Sequence, residues 1–405
     1  MNPKAPSLDP LALRLRPGAQ RATRWPLAVA LLSSLALLAV GWGDDAPRRL
    51  QFAWLASVLL PLSLGLGALF FVLLHHLVGA GWSVALRRLA EQTAATLPWS
   101  TLLLAPVVLP TLFGHGALFP WADPHHVAEH ELLQHKQAYL NAPFFTLRWL
   151  LYAGAWTLLA RWFTAQSEHQ DRDADPRRTL DMQRRSAPAM LVFALTTTFA
   201  AFDFVMSLAP EWYSTIFGVY LFAGAVVGFL AFLILLALGL ERAGALSGVL
   251  RTEHLHDLGR LLFAFVFFWG YIAFSQYLLI WYANIPEETA WYRVRQESGW
   301  APLSLSLVIA HFLVPFAALL SRHTKRRRGS LAFLAGWVLV MHAVDLVWLV
   351  LPALGGGPRW GALELAALLA ALSLWALALL RRLARGPLVA VGDPRLHESL
   401  TYSAA

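Results

Sequence analysis

The sequence predicts an all-α integral membrane protein with about ten transmembrane helices. Of its 405 residues, 58% are hydrophobic and only 14% are charged, whereas soluble domains run at about 45–50% and 25%. The mean hydropathy is +0.55. Apolar stretches also recur at the length a bilayer demands, since a hydrocarbon core of about 30 Å takes about 20 helical residues. This composition excludes an ordinary soluble enzyme, a disordered chain and a disulfide scaffold. With 0 Cys the chain can neither ligate an iron–sulfur cluster through thiolates nor attach c-type haem. The 18 Trp and 24 Phe suit a protein that meets lipid and its interfaces.

Ten stretches fit, at about 25–42, 52–79, 97–118, 143–165, 187–208, 213–240, 258–284, 300–321, 330–351 and 360–380. The first follows a basic tail, 1–24, and has the look of a signal-peptide core. No small-x-small cleavage site comes after it, only Gly43, Asp44 and Asp45, so an uncleaved anchor is expected. Orientation follows from the basic residues. With the N-terminus inside, 25 of the 32 Lys and Arg fall on the inner side and 6 on the outer side, while Arg148 lies within a span. Both termini are therefore expected in the cytoplasm. The same placement explains the net charge of +8 without nucleic acid, because membrane lipid phosphates are sufficient partners.

The segment 166–186 mixes five acids with arginines and reads as a solvated inner loop. The run Lys325-Arg326-Arg327-Arg328 reads as a topology anchor. Gly224 and Gly228 have GxxxG spacing, expected to serve close helix packing. Residues 121–141 form an outer amphipathic segment rich in His and Glu. Its His130-Glu131-Leu132-Leu133-Gln134-His135 string is one residue too long for a zinc-protease motif, and five residues set the two His about 140° apart on a helix. His126 and His130 stand at i,i+4, but a water-facing helix is the expectation and no metal site is assigned.

Polar residues inside the spans carry the functional signal, because a charge near the bilayer centre costs about 2.5–3.5 kcal/mol on insertion scales. Asp203 lies in the fifth span. His342 and Asp345 share one face of the ninth at i,i+3. His311 lies near the middle of the eighth, and Pro315 four residues on deprives its carbonyl of a helical partner, predicting a bend. Arg148 and Glu364 sit near the outer ends of the fourth and tenth spans, with Arg148 expected to pair with a carboxylate. His75 and His76 sit near the inner end of the second span and are expected to be interfacial. The seventh span adds Tyr271, Gln276, Tyr277 and Tyr282. By depth, Arg148, Asp203, Asp345 and Glu364 come first, then His342 and His311, then His75 or His76. Two readings compete: a proton path, since buried carboxylates and imidazoles exchange protons near neutral pH, or interhelical hydrogen bonds that only pack and pair. A b-type haem between His311 and His342 is disfavoured.

Several strings go further. They are 136–145 (KQAYLNAPFF) followed by Arg148, then Phe202-Asp203, 206–208 (MSL), 210–218 (PEWYSTIFG) and 274–289 (FSQYLLIWYANIPEET). With ten spans, the chain resembles the polysulfide-reductase-type (NrfD-like) membrane subunits, and most of all the second such quinone-binding-type subunit of alternative complex III, the quinol:cytochrome c or quinol:acceptor oxidoreductase of bacterial respiratory chains. The likeness covers most of 97–350, and Glu211 stands where the family often carries His. The resemblance implies two four-helix bundles, at 52–208 and 209–352, flanked by 25–51 and 353–405. It implies the bacterial inner membrane, and partners comprising a sister NrfD-like subunit, an iron–sulfur subunit and c-type cytochromes. Iron–sulfur clusters and haem c would sit in those partners, leaving this chain without a redox centre. It implies quinone interaction, with Asp203, Tyr213, Tyr271, Gln276, Tyr277 and Glu287 in matching motifs, whereas the order by depth makes Asp203, His311, His342, Asp345, Glu364 and His75 the proton-path candidates. Arg148, Tyr213, Tyr271, Gln276 and Tyr277 are the quinone-pocket or ion-pair candidates. A secondary transporter of an organic ion or protons, using helices broken at Pro106, Pro110 and Pro315, and a purely structural scaffold are the alternatives.

Overall fold

The computed structural model describes residues 13–15, 24–40, 46–114, 118–297, 299–359 and 361–403. Lys4, Arg16 and Arg21 of the basic tail, Gly43 to Asp45 after the first span and Trp360 at the expected start of the last span lie outside them. Among the described residues the structure is helical throughout, with no strand. Eight helices are long and apolar enough to cross a membrane, so the chain is a multi-pass membrane protein.

The helices are α1 (Arg24–Val40), α2 (Ala46–Leu77), α3 (Val84–Ala94), α4 (Leu97–Leu102), α5 (Ala105–Leu112), α6 (Pro124–Glu129), α7 (Glu131–Lys136), α8 (Ala142–Asp173) and α9 (Pro176–Phe204). They continue with α10 (Phe217–Arg242), α11 (Thr252–Ala283), α12 (Pro286–Gln296), α13 (Ala301–Ser306), α14 (Val314–Leu320), α15 (Arg322–Arg326), α16 (Arg328–Val350), α17 (Ala362–Leu383) and α18 (Leu396–Thr401). Each of the ten expected stretches coincides with a helix or a broken helix. Two fall short of the eight: α1 has 17 residues, and α8 carries Arg148 and Arg161 in its apolar part, which dilutes its hydropathy.

Local chemistry sets the boundaries. Asn141 accepts a hydrogen bond from the Phe144 N–H at 2.9 Å and Pro143 follows, a pairing that starts α8. In the YANIPEE string, Asn284 takes the left-handed conformation (φ 49°) that ends α11, and Pro286 with Glu287 and Glu288 opens α12. Pro98 and Pro106, each in the first turn of its helix, divide the run from Val84 to Leu112 into α3, α4 and α5, whereas Pro110 lies within α5 without breaking it. The His-rich segment is two short helices, because His130 adopts an extended conformation between α6 and α7.

One expectation needs correction. The segment 166–186 is not a loop: α8 and α9 run out past the apolar region and turn only at Ala174 (φ 51°) and Asp175, which caps α9. The basic pair Arg87 and Arg88 is held inside the protein. Both are buried on α3, with Glu91 between them, and pair with Asp393 and Asp171. The tail after α17 makes this possible. It returns across the same end of the molecule, where the Ser399 hydroxyl donates to the Trp82 carbonyl and Arg251 donates to the Leu400 carbonyl. The basic run is likewise tied down, since Arg326 grips Glu253 with both nitrogens and Arg328 pairs with Glu241.

The core centres on α2 and α10, which pack on each other and on α16 and α9. A Cβ on Gly67 would meet the Ala225 carbonyl oxygen at 2.4 Å, so α2 and α10 touch backbone to backbone there. Gly239, exposed on α10, has nothing within 4 Å of such an atom. Gly67→Ala is therefore expected to cost about 1–3 kcal/mol, read as a fall in thermal unfolding temperature in detergent. Gly239→Ala should be neutral or stabilising by up to about 1 kcal/mol; equal responses would contradict this packing.

Candidate functional site

The buried polar residues fall into separate centres rather than one continuous ladder. The first joins α8 and α9. Arg148 donates from Nε to Asp203 Oδ2 and from a terminal nitrogen to Oδ1, each at 2.8 Å. Tyr152 adds a hydroxyl donor to Oδ2 at 2.7 Å. The third arm of the guanidinium donates to the Tyr139 carbonyl at 2.9 Å, and the Tyr139 and Phe144 rings lie 3.8 Å and 4.4 Å from its carbon. All three guanidinium nitrogens and both Asp203 oxygens are used here, and only the Tyr139 hydroxyl is left open among the described residues. A proton carrier must let go of its partners, and Asp203 is held by three. Arg148 pairs with a carboxylate as expected, but Asp203 belongs to this lock and not to a chain leading inward.

The second centre joins α2, α10, α11, α16 and the turn before α14. His342 and Asp345 are both buried and face α10. The Tyr220 hydroxyl of α10 donates to Asp345 Oδ1 at 2.5 Å. His342 Nε2 and the Ser63 hydroxyl of α2 are 2.9 Å apart. The GxxxG pair has a different role from the one expected. A Cβ on Gly228 would meet His342 Cδ2 at 2.4 Å, and one on Gly224 would lie 3.3 Å from Cε1. The two glycines form a notch that admits an imidazole, not a neighbouring backbone.

His311 completes this centre. The bend expected at Pro315 appears as a π-helical segment, Leu307–Leu313, in which the Val314 N–H reaches back to the Ile309 carbonyl. Wide turns of this kind absorb a missing helical bond and recur at functional sites. His311 sits on the widened turn, its ring edge-on to Trp269 at 4.3 Å between centroids and within electrostatic reach of His342. Both of its ring nitrogens, and Nδ1 of His342, are buried without a hydrogen-bond partner among the described residues. Buried polar atoms left open in this way call for water or a ligand.

Beside this centre is a cavity of about 470 Å³ that opens sideways between α11 and the π-helical segment. Phe274, Leu305 and Val308 form its exposed apolar mouth, while Tyr220, Tyr292 and Arg295 supply polar atoms deeper in. Arg295 is buried and pairs with no carboxylate among the described residues. It donates to the carbonyls of Trp291, Trp348 and Leu349, and its guanidinium carbon lies 3.3 Å from the Trp291 ring centroid. Burial pushes its pKa down to about 9 and that of Tyr292 up to about 12, so at neutral pH the cavity holds a cation and a neutral phenol.

The remaining candidates scatter. Tyr277 lines the cavity. Gln276 is buried and holds Tyr292 by a 2.9 Å bond while accepting from Ser214 at 3.0 Å. Tyr271 is 57% exposed; α11 buries the stripe Trp269, Ile272, Gln276 and Ile280, and two residues from Trp269 is about 200° around the helix. Tyr282 and Trp281 also face outward. Tyr213 is 61% exposed, before α10, beside the ammonium of Lys136. Glu364 pairs with Arg49 at 2.6 Å and reaches no other candidate. His75 and His76 are buried, not interfacial. Nδ1 of His75 bonds the Phe71 carbonyl at 2.7 Å. Twelve residues separate Ser63 from His75 on α2, about 18 Å along the axis, so no side chain links them directly. In the outer segment, His130 Nδ1 bonds the His126 carbonyl at 2.8 Å. Among the described residues no group of three or more His, Asp or Glu is placed to hold a metal ion.

Tyr220, Ser63 and Arg295 have no local signal in the sequence. Tyr220 falls in the first turn of an apolar span, and Arg295 looks like one more loop charge.

Comparison with known proteins adds no relative: no family model matches the chain, and no curated protein matches it.

The lock makes a definite prediction. Asp203→Ala leaves a buried guanidinium unpaired and should cost about 3–5 kcal/mol, whereas Arg148→Met/Asp203→Leu should recover most of that loss. Unfolding of the purified chain in detergent measures both. An Asp203→Ala chain as stable as the parent would contradict the assignment.

Proposed function

We propose that this chain is an integral membrane subunit of a respiratory quinol:cytochrome c or quinol:acceptor oxidoreductase, of the NrfD-like type. In this reading it has ten spans with both termini in the cytoplasm of a bacterium, in the inner membrane. It works with a sister NrfD-like subunit, an iron–sulfur subunit and c-type cytochromes. The observation that supports it best is the sideways cavity lined by Tyr220, whose hydroxyl donates to Asp345 behind the wall. A ring with an isoprenoid tail reaches a protein from within the bilayer, so it needs an apolar lateral mouth and a few polar atoms at the end.

Quinol oxidation releases two electrons and two protons. With 0 Cys this chain holds no cysteine-ligated cluster, so the electrons pass to partner subunits and this chain's own work is to seat the head group and take protons. Asp345 is the first acceptor, reached through the Tyr220 hydroxyl, which gives its own proton to Asp345 as it takes one from the quinol, and His342 and His311 stand next along the same centre. Arg295, charged at neutral pH, supplies donors that hold a ring oxygen. The Arg148–Asp203 lock gives the other half of the chain a structural role.

Two measurements test this reading. Gentle isolation of the native chain should bring iron–sulfur and c-type haem proteins with it; a chain that emerges alone would favour a secondary transporter. In the assembled complex, Asp345→Asn and Tyr220→Phe should each lower quinol turnover by 10-fold or more, the scale of a lost proton acceptor, while Tyr271→Phe leaves it unchanged. Wild-type turnover in all three contradicts the proton role and leaves a scaffold.

A further inference from the structure

A second cavity, of about 520 Å³, opens at the other end of the molecule where α4, α8 and α17 meet. The 6-residue helix α4 supplies one of its walls. Its walls differ in character. Trp99 and Leu102 form an apolar side, 53% and 55% exposed. Arg161 of α8, Arg382 of α17 and Arg385 just beyond it form the other side, with Glu168 as the single acid.

The charges do not balance. Glu168 already accepts from Gln92 at 3.1 Å and from Arg382 at 3.4 Å. Arg161 and Arg385 make no ion pair among the described residues. Both lie near enough to Arg382 for their charges to repel. Three guanidinium groups against one carboxylate leave an excess of two positive charges beside an apolar wall. That combination fits an amphiphile with an anionic head. Guanidinium forks match phosphate oxygens bidentately, and basic pockets between helices at a membrane face take phospholipid heads.

We propose that this cavity is a binding site for one acidic phospholipid. The arginines hold the phosphate, and an acyl chain lies along Trp99 and Leu102. The site requires only that the chain spans a membrane and is independent of any quinone chemistry.

The test uses the full-length chain in detergent, stripped of lipid and titrated with phosphatidylglycerol in a phosphatidylcholine background, with native mass spectrometry counting the lipids retained. The wild-type chain should keep one phosphatidylglycerol that Arg161→Ala/Arg385→Ala binds at least tenfold more weakly. Arg161→Lys/Arg385→Lys should restore most of the binding, and Arg322→Ala, a basic residue elsewhere, should change nothing. If the alanine pair does not fold, Arg161→Gln/Arg385→Gln decides by the same readout. Equal retention by the wild-type and neutral double variants would overturn the proposal. So would loss of the lipid to millimolar inorganic phosphate, which would make the ligand a free anion, or a site already filled by an acidic segment of a co-purifying protein.

Discussion

In hydrocarbon a polar side chain cannot borrow a partner from water, so each must bring one with it. This constraint sorts the buried groups of the chain. Arg148, Asp203, Tyr152 and the Tyr139 carbonyl satisfy one another. Arg295 is satisfied by three carbonyls. Around His342 and Asp345 the accounting is incomplete, because three imidazole nitrogens remain open in a site that also borders a cavity. A closed network rigidifies, whereas a partly open one beside a void is poised to accept something.

The two halves of the chain thus divide the work. The α8–α9 half is a clamp whose charges are consumed by one another. The α10–α16 half admits an imidazole through a pair of glycines, widens a helix ahead of a proline and leaves a lateral opening. These three devices act together. Without Gly224 and Gly228 the ring of His342 would collide with α10, and Pro315 accounts for the widened turn on which His311 sits beside Trp269.

Much of this was legible in the sequence. Long apolar runs announce spans because the bilayer enforces their length. The i,i+3 spacing of His342 and Asp345 guarantees a common face, and Pro315 must disturb the helix near His311. What could not be read depends on how helices meet. No periodicity says that Tyr220 will stand opposite Asp345, or that Gly228 faces a ring and not a backbone. Tyr271 and Gln276 look equally polar in one apolar span, and only the packed face of α11 separates the exposed one from the buried one. No local pattern says that Arg87 will meet Asp393 of the C-terminal tail. The depth ladder failed for the same reason: depth along a helix is local, but contact between helices is not.

Photocrosslinking with an azido-quinone in the native membrane, followed by peptide mapping, tests most directly the proposed seating of a quinone head in the lateral cavity lined by Tyr220. Labels that excess quinol removes should fall on Phe274 to Tyr277 of α11 or on Leu305 to Phe312 before α14. Labels confined to a partner subunit, or on this chain near Arg148 and Asp203, would contradict it.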